Sequence, residues 1–490
     1  MNLVNNFFKS FFSVFIRFGL VQILSVLISI FILREITPGV FGVYSIILLI
    51  IINLDKIIEF GLSTTLLIKK NNISSRLINE SFSFIFIISI LFSLILFIIA
   101  FLDIIEYEEI NIRAILLLLS SILLTKPFRF IPSLLIKLEL KNYKTTNIDL
   151  ISNILYLITV IVMFSLGYSI YSLAIGHFIK NLCEAVLINI INKRKYSFVL
   201  SKNELVENLE ISSKFLISSV INSIHGNVIP LLITSILSIE VLGIFTFTKK
   251  FVEIIIQPIR LLNDLLIRLF STKEKALDYS FFSVSNLTKL TTLIALIISS
   301  IVFFMFNWII ENVSKTPEWG ESKYVFYILF LSFLPEILNH VRMQFLKVNF
   351  PASTYLRLVS WNIVINITLL LILGYLPLSL NQNFIYPIVL VFSNSLMGIY
   401  AIKITIEKVK FNLFDIFFKY ALQFIFIQFL IFLTEMYFEN YIVSLLFSIF
   451  SVFWFFRALK RSQKEYIIFI KNQTSENKII SRILNLLYGK

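Results

Sequence analysis

Charged side chains lie inside long apolar segments of this sequence, where each needs water or an oppositely charged partner. Asp55 and Glu59 share one helical face of the apolar segment 40–60, and Lys56 lies beside them. An ionised group near the centre of a membrane helix costs about 2.5–3.5 kcal/mol, so such groups are typical of ion or substrate pathways. The local alternative is an ion pair between Lys56 and Glu59, which leaves Asp55 without a nearby partner in the sequence.

The segment 242–267 carries the longest series of polar side chains within an apolar stretch. The series consists of Lys249, Glu253, Gln257, Arg260 and Asp264, with Lys250 beside it. Their spacing places them on one face of a helix, which predicts that this face contacts water or protein rather than lipid. A ladder of ion pairs within the helix, Lys249 with Glu253 and Arg260 with Asp264, is the structural alternative.

Three other apolar segments contain charged groups of the same kind. Arg17 interrupts the segment 11–33, and Glu336 and His340 are four residues apart in the segment 324–346. Lys126 and Arg129 lie in the segment 112–135, on either side of Pro127 and before Pro132. The cations predict a cavity that binds phosphate oxygens, and its predicted lining is Arg17, Lys126, Arg129, Lys249, Lys250, Glu253 and Arg260. Glu336 and His340 have the spacing of a proton relay or of a buried structural hydrogen bond.

The composition excludes a soluble globular protein, because 58% of the residues are hydrophobic and only 15% are charged. At roughly 20 residues per span, the chain contains about fourteen candidate transmembrane helices. They lie near 11–33, 40–60, 82–102, 112–135, 147–166, 169–191, 211–237, 242–267, 287–310, 324–346, 352–374, 384–404, 414–435 and 440–459. Basic residues fall in alternate loops, which places both termini in the cytoplasm. This distribution also argues against nucleic acid as the partner of a chain with net charge +14.

The sequence offers no sign of a metal centre or a catalytic site. Its three histidines and single cysteine have no ligand spacing, so we expect no metal, no cofactor and no catalytic residue. We also expect the first span to act as an uncleaved anchor, since Arg17 interrupts it and no cleavage site follows.

A turn followed by a glycine and a polar helix occurs twice in the chain. Gly42 lies in VFGVYS and Gly243 in VLGIFT. The run from Arg34 to Lys70, REITPGVFGVYS…EFGLSTTLLIKK, resembles the opening of bacterial polysaccharide (Wzx-type, O-antigen) flippases. These belong to the multidrug/oligosaccharidyl-lipid/polysaccharide exporter superfamily.

The repeat and the resemblance together predict an all-α polytopic membrane protein. We expect about fourteen transmembrane helices, arranged as two six-helix lobes in a pseudo-two-fold arrangement plus two C-terminal helices. The predicted domains are an N-terminal lobe at 1–197, a C-terminal lobe at 198–410, two additional spans at 411–460 and a basic cytoplasmic tail at 461–490.

The resemblance implies a flippase of the bacterial inner membrane that works by alternating access. Its substrate would be a polyprenyl-pyrophosphate-linked oligosaccharide for surface polysaccharide (O-antigen or capsule) assembly. The implied partners are membrane lipids, a polysaccharide polymerase and a chain-length regulator. By analogy, a proton or sodium gradient drives transport, with Asp55, Glu336 and His340 as candidate carriers.

Two other functions fit parts of the sequence. A drug or organic-cation exporter of the same superfamily would share the fold but would need a cavity dominated by carboxylates. The excess of basic residues in the predicted cavity argues against this function. A membrane-embedded polysaccharide polymerase or glycosyltransferase would want a large external loop or an acidic cluster for its chemistry. The sequence has neither of these features.

Overall fold

The protein is a helical membrane protein. The computed structural model describes residues 21–22, 25–62, 74–102, 110–138, 142–199, 232–260, 284–314, 316–376, 381–405 and 449–455, with a few isolated positions between these ranges. Within these residues, eight helical segments are long and apolar enough to cross a membrane, and a bent pair brings the number to nine. This confirms the predicted polytopic all-α class. The candidate spans at 11–33, 211–237, 414–435 and 440–459 lie largely outside the described residues.

The described residues form two compact units, and the division between them passes through one helix. We call the described residues up to Thr246, together with 316–319, the N-terminal unit, and those from Phe247 to Ser314 and from Gly320 onward the C-terminal unit. The lobe boundaries expected from the sequence remain a prediction.

The N-terminal unit is built from six complete helices and the first part of a seventh. They are α1 (Pro38–Glu59), α2 (Ser75–Phe101), α3 (Ile112–Leu124), α4 (Lys126–Leu138), α5 (Asn142–Ser165), α6 (Tyr171–Asn192) and the beginning of α7 (Ile239–Arg260). Helix α6 packs against α3, α4 and α5, while α2 packs against α3 and α4. Helix α6 therefore brings together the elements that carry charged side chains.

The C-terminal unit contains the rest of α7 and four long helices. They are α8 (Val284–Val313), α9 (Ser322–Asn349), α10 (Ala352–Tyr375) and α11 (Gln382–Thr405). Helix α9 packs along α8 and α11, and α10 packs along α11. The core of the C-terminal unit contains packed aromatic rings. The ring centroid of Phe306 lies 4.3 Å from that of Phe326 and 4.7 Å from that of Phe251.

Short polar residues begin several of the helices. Thr37 accepts a hydrogen bond from the Val40 amide at the start of α1, where Pro38 supplies the fixed backbone angle favoured in a first turn. Ser74 and Asn111 cap α2 and α3 in the same way. At its other end α1 stops at Phe60, whose φ of 49° is left-handed. The turn after α1 therefore ends the helix just beyond Glu59.

The two repeated glycines meet where α1 crosses α7. A Cβ atom on Gly42 would lie 2.2 Å from the carbonyl oxygen of Ile239, and one on Gly243 would lie 1.9 Å from the carbonyl oxygen of Pro38. Real Cβ atoms do not approach backbone so closely, so each glycine is required by the backbone of the other helix.

The contact between α1 and α7 is close to self-complementary. The hydroxyl of Ser45 lies 3.2 Å from that of Thr246, and these residues are 201 positions apart in the sequence. The two glycines, and the two residues whose carbonyls they meet, have the same separation. Each repeat therefore offers the other the same surface, as in an isologous two-fold contact. The internal repeat seen in the sequence is thus present as a structural repeat at this crossing.

Residues 316–319, between α8 and α9, belong to the N-terminal unit. They include the start of a 3₁₀ helix, Pro317–Glu321, whose Trp319 side chain is fully buried. The indole Nε1 of Trp319 donates to the carbonyl of Ile36 at 3.0 Å, and its ring packs edge-on against Phe41. The apolar ring and the single indole donor are therefore both satisfied beside the start of α1.

Candidate functional site

Lys126 lies at the centre of a charge network in the N-terminal unit. Its Nζ donates to Oδ2 of Asp55 at 2.5 Å and to Oε1 of Glu59 at 2.7 Å. The Lys126 side chain is 6% exposed, whereas the two carboxylates are 26% and 30% exposed. A buried ammonium held by two carboxylates is satisfied, and each carboxylate keeps an accessible edge.

The network continues through α4 to α6 and α5. Arg129 places one guanidinium nitrogen 3.3 Å from Asp55 and another 3.5 Å from Glu184. Lys180 lies 3.9 Å from both Glu184 and Asp149, and it donates to the Asn153 side chain at 3.1 Å. We call Asp55, Glu59, Lys126, Arg129, Asp149, Lys180 and Glu184 the four-helix charge network, because α1, α4, α5 and α6 contribute to it.

A break in the fourth predicted span positions the two cations of α4. The span is bent by 40° between α3 and α4, and Thr125 is the residue at the break. Pro127 follows and has no backbone N–H to continue the α3 ladder. The Thr125 hydroxyl donates to the Ile122 carbonyl at 2.7 Å and accepts from Nε of Arg129 at 3.0 Å. The bend is therefore tied directly to the guanidinium that contacts Asp55.

Asn189 compensates for the second proline of α4. Pro132 lacks the N–H that would otherwise bond the carbonyl of Phe128, four residues earlier. The Asn189 side chain of α6 donates to that carbonyl at 2.7 Å. In a membrane helix a carbonyl left without a donor is costly, so this bond also fixes α4 against α6.

Replacing Asn189 by leucine is expected to lower the stability of the protein. The variant leaves the Phe128 carbonyl without its donor, which costs about 1–3 kcal/mol. The measurement is the thermal unfolding midpoint of the purified protein in detergent. Asn181→Leu is the matched control, because the Asn181 side chain donates to the His177 carbonyl of its own helix.

The proline supplies a second test of the same bond. Pro132→Ala restores an N–H that can donate to the Phe128 carbonyl. On that background, Asn189→Leu is expected to lower the unfolding midpoint much less than in the original protein. Equal losses on both backgrounds would show that Asn189 acts through something other than the proline.

The four-helix charge network contains more acids than bases. It has four carboxylates and three cations, so the network as a whole is acidic when all are ionised. Lys126 contacts both Asp55 and Glu59, so loss of either contact alone would leave its ammonium group paired with the other acid.

The C-terminal unit holds a second ion pair between two of its helices. Arg260 at the end of α7 donates through Nε and Nη2 to one oxygen of Glu336 in α9, at 3.1 and 2.8 Å. Their side chains are 38% and 31% exposed. Glu253 is close enough to interact electrostatically with Arg260 and with Lys250. Glu253 and Arg260 of the predicted polar series therefore form one charged region with Lys250 and Glu336.

His340 lies next to this ion pair but does not extend it. It contacts the backbone of Ile259 at the end of α7, and its Nε2 is buried with no hydrogen-bond partner among the described residues. Glu336 is bonded to Arg260. Glu336 and His340 therefore flank the end of α7 rather than bonding to each other.

The structure places most of the residues singled out from the sequence, in two groups. Lys126, Arg129 and Asp55 come together in the N-terminal unit, and Lys249, Lys250, Glu253, Arg260, Glu336 and His340 all lie in the C-terminal unit. Arg17 and Asp264 lie outside the described residues. Lys56 is exposed, and Glu59 contacts Lys126 instead. The local Lys56–Glu59 alternative is therefore wrong.

The sequence reasoning missed Asp149, Lys180, Glu184 and Asn189. A signal was present, because Lys180 and Glu184 are four residues apart within the apolar segment 169–191. A search for ionisable residues in every candidate span would have found this pair. The role of Asn189 could not be found in this way, since it depends on a carbonyl of another helix.

Comparison with known proteins places this structure in a family. A family model described as "Polysaccharide biosynthesis protein" matches residues 31–319, which is more than half of the chain. The chain belongs to this family. A search of curated protein sequences finds no match.

Solved structures of transporters share the fold. The structure titled "Lipid II flippase MurJ, inward closed conformation" aligns with a TM-score of 0.74 at 15% identity, covering 91% of this chain and 98% of that one. An inward-facing multidrug resistance MATE family transporter of the MOP superfamily aligns at 0.61 with 12% identity, covering 79% and 94%. An outward-facing structure of such a transporter aligns at 0.52 with 11% identity, covering 82% and 95%. The likeness confirms the polytopic transporter fold.

Proposed function

We propose that this family member is a flippase that moves polyprenyl-pyrophosphate-linked oligosaccharide repeat units across the bacterial inner membrane. The product would supply surface polysaccharide, O-antigen or capsule, and transport would proceed by alternating access. In this proposal both termini are cytoplasmic and the chain is not an enzyme. A polysaccharide polymerase and a chain-length regulator would act with it.

One observation carries the proposal. A chain of the polysaccharide biosynthesis family has the fold of a lipid II flippase along almost its whole length. The family match supports a role in polysaccharide biosynthesis, and the structural likeness supports a flippase within that pathway. A pathway that builds sugar chains on a membrane lipid needs a protein that carries the charged head group across the apolar layer, because that layer excludes charges.

We assign substrate binding to the cations among the predicted cavity residues. Lys249, Lys250 and Arg260 would contact pyrophosphate oxygens through charge-assisted hydrogen bonds, with Glu253 orienting them. Arg17, Lys126 and Arg129 complete the predicted set. Since Lys126 and Arg129 are each held by carboxylates here, they would have to exchange those contacts for phosphate oxygens during transport.

We assign ion coupling to Asp55, Glu336 and His340. Protonation of Glu336 would remove the carboxylate that holds Arg260. Protonation of Asp55 would weaken the hold on Lys126 and Arg129, each of which keeps a second carboxylate. Release of a cation beside an anionic substrate would link proton uptake to substrate binding. His340 lies beside the Arg260–Glu336 pair and would respond to its charge.

A reconstituted transport assay tests the proposal. Liposomes containing the protein and a fluorescent polyprenyl-pyrophosphate oligosaccharide are treated with an external glycosidase, and the rate of sugar exposure is measured. Lys249→Ala/Arg260→Ala is expected to lower that rate at least about tenfold, because two charge-assisted contacts are lost. Glu336→Gln is expected to remove the dependence on a pH gradient. Lys403→Ala, an exposed basic residue of α11, is the control.

Two outcomes would contradict the proposal. A rate no higher than that of protein-free liposomes would exclude the flippase. Full activity of the Lys249/Arg260 double variant would exclude the cationic binding site while leaving the flippase in place.

A drug or organic-cation exporter remains the second candidate, and one observation favours it. The four-helix charge network is acidic and its cations are already paired, and its three most exposed side chains are the carboxylates of Asp149, Glu59 and Asp55. Carboxylates suit a cationic substrate. Efflux of ethidium from the same liposomes, without transport of the lipid-linked sugar, would decide for this function.

A further inference from the structure

The chain leaves α6 as an ordered strap rather than as a loose loop. Helix α6 ends at Asn192, Lys193 adopts a left-handed φ of 52°, and residues 193–199 then run back along α2. We call residues 193–199, with sequence KRKYSFV, the basic–aromatic strap. It follows directly on a membrane-spanning helix, so it lies at a membrane surface.

Hydrogen bonds to α2 hold the strap in place. The Val199 amide donates to the Ser83 hydroxyl at 2.8 Å, and the Asn79 side chain donates to the Ser197 hydroxyl at 2.6 Å. Asn192, the last residue of α6, donates to the Tyr196 hydroxyl at 2.7 Å. The strap is thus anchored by both backbone and side-chain bonds.

Aromatic contacts reinforce this anchoring on the side of the helices. The Tyr196 ring stacks on that of Phe82, with centroids 4.8 Å apart and planes within 9°. Phe198 packs edge-on against Phe86, which in turn packs against Phe128. Burial raises the pKa of Tyr196 to about 12, so this hydroxyl stays neutral and adds no negative charge.

The strap carries positive charge close to exposed apolar surface. Lys193 and Lys195 are exposed and Arg194 is half-buried, giving three cations in succession. Phe198 and Phe128 remain 55% and 40% exposed. The acid Glu80 of α2 is fully buried and bonded to Arg76 at 3.0 Å. Three cations followed closely by an exposed aromatic ring match an anionic head group above apolar chains.

We propose that the basic–aromatic strap is a binding site for anionic phospholipid of the membrane leaflet reached by the end of α6. Lys193, Arg194 and Lys195 bind the lipid phosphate, while Phe198 and Phe128 contact the upper part of its acyl chains. None of the three strap cations is among the charged groups assigned to transport. Its occupancy would hold the strap, and with it the ends of α2 and α6, at the membrane surface.

Native mass spectrometry of the full-length protein tests the site, with phosphatidylglycerol or phosphatidylcholine titrated into the detergent. Replacing the three cations of the strap by glutamine is expected to weaken retention of phosphatidylglycerol on the order of a hundredfold, from roughly fivefold per cation. Retention of phosphatidylcholine should not change. The matched control replaces Lys144, Lys347 and Lys403 by glutamine, which alters net charge equally and leaves the strap intact.

The unfolding midpoint of each variant, measured without lipid, tests whether the exchanges leave the fold intact. Equal retention of phosphatidylglycerol by the strap variant and the original protein would overturn the proposal, and so would an equal loss in the control. Glycerol phosphate is added as a soluble competitor. Displacement of the lipid by glycerol phosphate at equal concentration would assign the strap to free phosphate esters instead.

Discussion

Replacing Lys126 by leucine is expected to unfold or inactivate the protein, because Asp55 and Glu59 lose the ammonium group that they share. Removing one partner of a buried ion pair costs about 3–5 kcal/mol, and here two carboxylates lose a contact. The Lys126 side chain is 6% exposed, so water cannot replace it at that position. The measurements are the amount of membrane-inserted protein and its unfolding midpoint in detergent.

Two further variants separate charge from packing at this position. Lys126→Arg keeps a cation beside both acids and is expected to retain most of the stability. The triple exchange Asp55→Asn, Glu59→Gln and Lys126→Leu removes the unpaired charges, and it is expected to be more stable than Lys126→Leu alone. A triple variant no more stable than the single one would show that the loss in Lys126→Leu does not come from unpaired carboxylates.

Alanine at Gly42 or Gly243 is expected to destabilise the protein strongly, although alanine normally stabilises a helix by about 1 kcal/mol relative to glycine. The new methyl group would overlap a backbone carbonyl of the other helix, at 2.2 Å for Gly42 and 1.9 Å for Gly243. Because backbone cannot rotate away as a side chain does, we expect a cost of at least about 3 kcal/mol. Inserted protein and unfolding midpoint measure it.

Gly320→Ala is the control for both glycines. A Cβ atom there would meet no atom within 4 Å, and so the exchange is expected to be neutral. The double variant Gly42→Ala/Gly243→Ala should lose less than the sum of the single losses, because one separation of α1 from α7 accommodates both methyl groups. Single variants as stable as Gly320→Ala would show that the two helices are not in close contact.

The sequence could predict the helices and the repeat because both are written in short patterns. Apolar runs of membrane length gave segments such as 40–60 and 169–191, and the structure has helices at Pro38–Glu59 and Tyr171–Asn192. The repeated glycine was visible since close backbone approach admits no other residue in either copy. The sequence does not show which backbone each glycine approaches. In the structure, Gly42 and Gly243 each approach the helix that carries the other.

The partners of the charged residues could not be predicted, because they depend on how helices pack. Spacing along the helix favours Lys56 for Glu59, but Lys126, 67 residues away, takes that place. Likewise Arg260 bonds Glu336, which lies 76 residues away in another helix. Spacing in the sequence shows on which face of a helix a charged side chain lies. Its ion-pair partner is set by the packing of that face against another helix.

The crossing of α1 and α7 bears on the origin of the chain. Because each repeat offers the same glycine, carbonyl and hydroxyl to the other, a polypeptide with a single copy already contains both surfaces of the contact. Two such polypeptides would join as a homodimer through it, before any gene duplication and fusion linked them. After fusion, neither glycine could be replaced without displacing the other helix, since a side chain on either one would overlap the main chain opposite it.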